Sequence, residues 1–227
     1  MSREAMLAHD RLADRFDELM NEYDVARRVE VLVDEFLSDE DVCRRLVLDA
    51  GCGTGRATAA LARRDADVVA VDIGERLVTH TRERCSCRPV VGSVIALPFA
   101  DATFDVVLST EVIEHIPHPS QAVREFGRVL KRGGHLVLST PNRLWQAPVR
   151  LASALKVRSY DGLENFLTPR QLRNAASDAG LTLMEHRGIH LLPFQITWMH
   201  PFLKYMDRYG VSLLPLMINQ CVHAVKQ

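Results

Sequence analysis

Val47-Leu48-Asp49-Ala50-Gly51-Cys52-Gly53-Thr54-Gly55 carries an apolar run into a turn with glycine at alternate positions. A helical stretch, Thr54 to Arg64, follows. A second apolar run, Ala66–Asp72, then ends on a carboxylate 17 positions after Gly55. Glycine lets a backbone approach a ligand closely and take dihedrals that other residues resist. A carboxylate closing the second strand is placed to accept hydrogen bonds from ribose hydroxyls. The pattern predicts binding of an adenosine-containing cofactor at the carboxyl ends of parallel strands.

The spacing narrows the choice of cofactor. A dinucleotide fingerprint wants Gly-x-Gly-x-x-Gly, whereas Gly51, Gly53 and Gly55 give Gly-x-Gly-x-Gly. No lysine of a phosphate-binding loop is present in the turn. Asp49 stands at the strand tip, where it would repel a pyrophosphate but not a cationic sulfonium or ammonium.

Outward from the turn, strands and helices alternate. Leu46–Ala50, Ala66–Asp72, Pro89–Gly92, Phe104–Thr110 and His135–Thr140 read as strands. Thr54–Arg64, Glu75–Arg84 and Pro119–Leu130 read as the helices between them, and Lys131–Gly134 as a turn. Such alternation implies parallel pairing with right-handed crossovers, and near-continuous apolar strands fit a sheet covered on both faces. Two amphipathic helices, over 9–23 and 25–37, precede the sheet, and Ser38–Asp41 reads as a polar break. After Pro141, Leu144–Val157 reads as an inserted helix. Thr168 and Pro169 start another helix, which Gly180 ends. Leu181–Gly188 and Ile218–Val225 read as the last strands, around an apolar, proline-punctuated insertion at 189–217.

Composition bounds the rest. The chain has 227 residues, 47% hydrophobic and 25% charged, with a formal net charge of −1. These values suit one globular domain and imply no broad attraction to nucleic acid. Cys43, Cys52, Cys85, Cys87 and Cys221 show no paired zinc spacing. An odd count, with no apolar leader at the polar N-terminus, predicts a reducing cytoplasm. Gly188–Leu203 and Tyr209–Val225 both fall short of the roughly 20 apolar residues of a membrane span.

Asp-x-Gly-x-Gly-x-Gly at this place resembles motif I of the class I S-adenosylmethionine-dependent methyltransferases. Gly92-Ser93-Val94-Ile95-Ala96-Leu97-Pro98-Phe99 is similar to the family's Gly-Asp-Ala-x-x-Leu-Pro-Phe, with Ser93 in place of the aspartate. Phe104–Val107 and Val129–Gly134 also match. Ser109–Ile116, Ser139–Arg143 and Phe166–Pro169 resemble the ubiquinone-biosynthesis O-methyltransferases and other type-11 small-molecule methyltransferases. The resemblance implies a Rossmann-like α/β fold: a seven-stranded, mostly parallel sheet of order 3-2-1-4-5-7-6, with N-terminal helices and the C-terminal insertion. It implies one domain over 1–227: a helical cap over 1–40, a cofactor core over 45–140, and an acceptor side over 141–227.

The resemblance also implies site residues. Gly51, Cys52, Gly53 and Gly55 would cradle the methionine end of S-adenosylmethionine, and Asp49 would orient that turn. Asp72 would take the ribose hydroxyls, Ile73 would pack on adenine, and Ser93 and Val94 would line its edge. Glu111, at the tip of strand four, would sit near the sulfur. A hydroxyl acceptor also needs a proton acceptor. His115 follows strand four, and an imidazole can do this near neutral pH; His118 is a second candidate.

Several alternatives stay open at this point. Glu111, Glu114 and His115 share a face if helical, and would then suit a divalent metal. Tyr23-Asp24 belongs to a segment that would close over the cofactor. The 189–217 insertion reads as a lid over an apolar acceptor, a peripheral membrane contact, a dimer surface or core. The favoured function is methyl transfer to a small-molecule hydroxyl, phenolic, quinol or natural product, with S-adenosylhomocysteine as co-product. N- or C-methylation, a macromolecular acceptor, and cofactor binding without turnover are the competing readings.

Overall fold

The computed structural model of the protein describes residues 13–154 and 164–227. The start of the expected 9–23 helix and the end of the expected 144–157 helix therefore lie outside the described residues. In chain order come α1 (Phe16–Leu19), α2 (Glu22–Val29) and α3 (Asp39–Val42), then β1 (Leu46–Ala50), α4 (Arg56–Arg63), β2 (Asp67–Asp72), α5 (Glu75–Arg84), β3 (Arg88–Val91) and β4 (Phe104–Thr110). They are followed by α6 (Pro119–Val129), β5 (Leu130–Pro141), α7 (Gln146–Ala154), α8 (Pro169–Asp178), β6 (Leu181–Ile189), α9 (His200–Met206), α10 (Gly210–Leu213) and β7 (Asn219–Lys226).

The seven strands form one sheet of order β3-β2-β1-β4-β5-β7-β6. β1 to β5 are parallel, while β7 runs antiparallel to both β5 and β6. The chain reverses its direction of growth across the sheet between β1 and β4. In open α/β sheets that place opens a crevice at the carboxyl strand ends.

Strand alternation sends successive side chains to opposite faces. Leu48, Ala50, Val69, Val107, Leu136 and Leu138 enter one buried cluster with Phe126 of α6 and Leu172 of α8. Val47, Val68, Val106, Leu108 and Val137 enter the other, with Leu61 of α4 and Leu32 and Phe36 after α2. Gly127 sits where α6 crosses the end of α8. A Cβ there would stand 2.5 Å from the Ala179 carbonyl oxygen. In an open helix Gly→Ala gains about 1 kcal/mol, but overpacking against backbone costs roughly 1–3 kcal/mol. Gly127→Ala is accordingly expected to lower the melting temperature, which a thermal unfolding curve measures.

Three local expectations are corrected. The helix over 9–23 is interrupted: Met20 is extended, and Asn21 caps a new helix by accepting the Asp24 N–H. The Ser38–Asp41 break contains the start of α3. Ser38 and Asp41 form a reciprocal capping box there, which satisfies two otherwise unpaired helix-end groups. The Lys131–Gly134 turn lies within β5, which already pairs at Leu130 with Phe104 before the register shifts. Gly133 takes φ +73°, so the four residues form a bulge and not a break between elements.

The 189–217 insertion is mixed in character. Leu203, Leu214 and Met217 are buried, whereas Trp198 is 80% exposed. No helix among the described residues is long and apolar enough to cross a membrane.

Candidate active site

The turn after β1 has all three glycines at positive φ: +84° at Gly51, +53° at Gly53 and +82° at Gly55. Gly51 is also held by space, since a Cβ would lie 2.3 Å from a Val112 methyl. Gly53 faces more open ground, its nearest neighbour being the Phe16 ring at 3.7 Å. The Gly51 and Cys52 N–H groups donate to the Val71 carbonyl, tying the turn to β2. Asp72 fastens the cradle on its other side. One carboxylate oxygen accepts the Gly53 N–H and the other the Gly74 N–H, both at 2.9 Å.

Asp49 lies beneath this turn, fully buried. The Thr58 hydroxyl donates to one of its oxygens at 2.5 Å; Oδ1 has no hydrogen-bond partner among the described residues. Burial, reinforced by the charge of Asp72, pushes its carboxyl up to about 7.

A cavity of about 1220 Å³ opens at the switch in strand order. Gly51, Cys52, Gly53, Asp72, Ile73, Ser93, Val94, Glu111 and His115 all line it, so nine of the eleven expected site residues meet in one space. Asp49 and Gly55 stand outside the lining. Gly55 instead packs on Thr81 of α5, where a Cβ would be 2.8 Å from a methyl.

At the β4 end, Glu111 takes φ +54°. Ser139 Oγ donates to it at 2.9 Å, and Arg28 Nη1 stands 4.0 Å away. Burial raises its carboxyl, and the nearby charges of Glu114 and Asp24 add to this against the pull of Arg28. Glu114 is buried and accepts the Thr140 hydroxyl at 2.9 Å; burial pushes it up to about 7. Residues 113–115 form a 3-10 turn, so Glu111, Glu114 and His115 do not share an α-helical face. The Glu111 and Glu114 carboxylates accept from Ser139 and Thr140, adjacent β5 residues whose side chains point to opposite faces. Among the described residues no group of three or more His, Cys, Asp or Glu is disposed to hold a metal ion. The His115 ring stands 3.9 Å from Glu114, and His118 also lines the cavity.

Charged residues of α2 supply part of the wall: Asp24, whose segment was expected to close over the cofactor, and Arg28, which no sequence signal marked. Asp24 and Arg28 are both buried and both line the cavity. Two Arg28 nitrogens lie 3.1 and 2.7 Å from Asp24 Oδ2, and Asn219 donates to Asp24 Oδ1 at 3.0 Å. Tyr23 points elsewhere. Its hydroxyl donates to the His200 carbonyl at 3.0 Å and its ring stacks on His200, so it packs the helix start and does not line the cavity. Phe16, Trp145, Phe166 and Phe194 complete apolar parts of the wall.

Residues 48–138 match the methyltransferase domain family. The chain is 33% identical over 180 residues to a probable S-adenosylmethionine-dependent methyltransferase of Mycobacterium tuberculosis, covering 78% of this chain and 61% of that one. The match thus spans about three fifths of that relative's length. It is 31% identical over 170 residues to a ubiquinone biosynthesis O-methyltransferase of Acinetobacter baumannii, covering 68% and 71% of the two chains. The chain belongs to the S-adenosylmethionine-dependent methyltransferases. Its fold is that of the methyltransferase solved in complex with the Haloferax volcanii Trm112 methyltransferase activator. The TM-score is 0.69 at 18% identity, over 99% of this methyltransferase and 97% of that chain.

Proposed function

We propose that this methyltransferase moves a methyl group from S-adenosylmethionine to a hydroxyl oxygen of a small phenolic, quinol or natural-product acceptor. The observation that carries the reading is the single cavity that joins the glycine cradle and Asp72 to His115 and an apolar aromatic wall. The residues present suit the cofactor. Gly53 leaves its backbone open to the cavity, and with Arg56 paired to Glu22 the carboxylates of Asp49 and Asp72 beside the turn favour a cationic tail over a pyrophosphate.

In this reading Gly51, Cys52 and Gly53 hold the methionine end, with Gly55 shaping the turn and Asp49 setting its charge from beneath. Asp72 takes the ribose hydroxyls on the same carboxylate that holds Gly53 and Gly74. Ile73, Ser93 and Val94 border the adenine, and Glu111 lies toward the sulfur. When bound, the cofactor supplies a methyl on a positively charged sulfur for in-line displacement. The protein's share is to hold the acceptor at near-attack distance, exclude water and take the hydroxyl proton. His115 takes that proton, with Glu114 beside its ring to favour the imidazolium that forms. The chain acts as one unit, the described residues of 1–40 capping the 45–140 core and those of 141–227 forming the acceptor side. Its cysteines are free, which supports placement in the reducing cytoplasm.

His115→Gln tests the reading. Loss of a general base lowers kcat by roughly a hundredfold or more, while cofactor affinity stays at the wild-type value. Turnover of a catechol with methyl-labelled S-adenosylmethionine reads the first, and calorimetric titration the second. An undiminished kcat would remove His115 from the chemistry.

A further inference from the structure

The 189–217 insertion turns one helical face outward. From Thr197 to Leu213 it runs as consecutive 3-10 and α-helical turns, with α9 and α10 among them. Leu203, Asp207, Gly210 and Leu214 recur at helical spacing and are buried against the body of the protein. Trp198, Phe202, Tyr205 and Tyr209 recur at the same spacing on the opposite side, and all four are exposed, Trp198 most of all. Val211 and Leu216 extend the apolar surface. A helix pressed flat on a domain, with a row of Trp, Phe and Tyr outward, has the chemistry of a membrane–water boundary. There the rings sit among acyl chains while the Tyr hydroxyls stay at the level of the headgroups.

The charges beside this row fit an anionic surface. The insertion carries one carboxylate, Asp207, which is buried and held by Arg27 at 2.8 Å. The carboxylates that meet its flank are engaged: Glu30 by Lys204 at 2.8 Å, and Glu35 by Arg27 and Arg187. Arg208 differs from these. It is exposed, its guanidinium lies 5.6 Å over the Tyr205 ring, and no carboxylate among the described residues pairs with it. With Lys204, Arg187 and Tyr205 it lines a second cavity, of about 520 Å³.

We infer that this face docks on an anionic lipid bilayer, the aromatic row entering at headgroup depth and Arg208, with Lys204, meeting lipid phosphates. A second copy of the chain suits the face less, because two such rows brought together share an unpaired charge of the same sign. The inference goes beyond the proposed function and does not depend on which acceptor is methylated.

The test sediments the whole protein with sucrose-loaded vesicles, of phosphatidylcholine alone and of phosphatidylcholine mixed with phosphatidylglycerol, at low and high salt. The expected result is binding at least about tenfold tighter to the anionic vesicles at low salt, weakening as salt screens the contact. Trp198→Ser is expected to weaken that binding about tenfold or more. Arg208→Gln is expected to cut the preference for the anionic lipid about fivefold. Both side chains are exposed, so both variants should melt with the wild type, which separates lost docking from lost folding. Absence of binding to either vesicle would overturn the proposal, as would equal binding to the two lipids or binding unmoved in both variants. A wild-type dimer in solution that Trp198→Ser dissociates would also overturn it, by assigning the face to a second copy.

Discussion

Asp72→Ala is expected to weaken S-adenosylmethionine binding by about a hundredfold or more, with a lower melting temperature even without cofactor. Two effects combine. The side chain accepts the Gly53 and Gly74 N–H groups at once, and each partly buried amide left without an acceptor costs about 1–3 kcal/mol. The loop after β1 then loses its tie to the loop after β2, so the cradle must be ordered again on binding. On the proposed role of Asp72, the hydrogen bonds lost from ribose to a charged acceptor are worth about 1.5–3 kcal/mol each. Calorimetric titration measures the affinity and differential scanning calorimetry the stability. Asp72→Asn keeps one oxygen acceptor and should fall between the two. Wild-type affinity in the alanine variant would show that Asp72 is not the ribose partner.

The second large effect concerns pH. Asp49 and Glu114 are both pushed up to about 7 in the folded protein, chiefly by burial, and Glu111 moves in the same direction. Unfolded, these carboxyls titrate near 4. Between those limits the folded chain binds more protons than the unfolded chain, so stability falls as pH rises. Their contribution is fully present below about pH 4 and is lost as pH climbs through about 7. Asp24, Asp41 and Asp105 are shifted the other way, by Arg28, Ser38 and Lys131 respectively, against the cost of burial; their contribution is lost in acid. The ligand-free protein should therefore be most stable at mildly acid pH and melt lower at pH 8 than at pH 5. Asp49→Asn should flatten the alkaline limb, raising stability at pH 8 by about 2 kcal/mol. Melting curves across that range decide it, and a melting temperature that rises steadily to pH 8 would refute the account.

The sequence made some elements plain because their ends are chemically marked. β1, β4 and α5 run over the expected residues. A glycine turn stops β1, and Thr168-Pro169 starts α8 with the Thr168 capping box in place. That Gly51, Gly53 and Asp72 meet in one cavity was equally legible, because they do so through backbone geometry that spacing encodes. Arg28 was not. On an amphipathic helix, charged residues read as the solvated face. Its partner Asp24 is itself held by Asn219, 195 residues further on, and no local pattern carries such a pairing. Glu111, Glu114 and His115 were identified, but not their arrangement, since the left-handed turn at Glu111 breaks the helical spacing. The insertion's role was hidden for a related reason: apolar content is the same whether a side chain packs a core, as Leu203 does, or faces a cavity, as Phe194 does.

The position of β7 sets an order of events. It is the last strand along the chain, yet it lies between β5 and β6, and Asn219 at its start grips Asp24 of α2. As the polypeptide leaves the ribosome, β1 to β4 can pair while their later neighbours are still unmade. β6 emerges with no strand beside it and must wait. α2, synthesised before all seven strands, cannot lock until β7 arrives. Contacts so distant in sequence form slowly, so the glycine turn is built early and the α2 wall of its cavity is fixed only after β7 has paired.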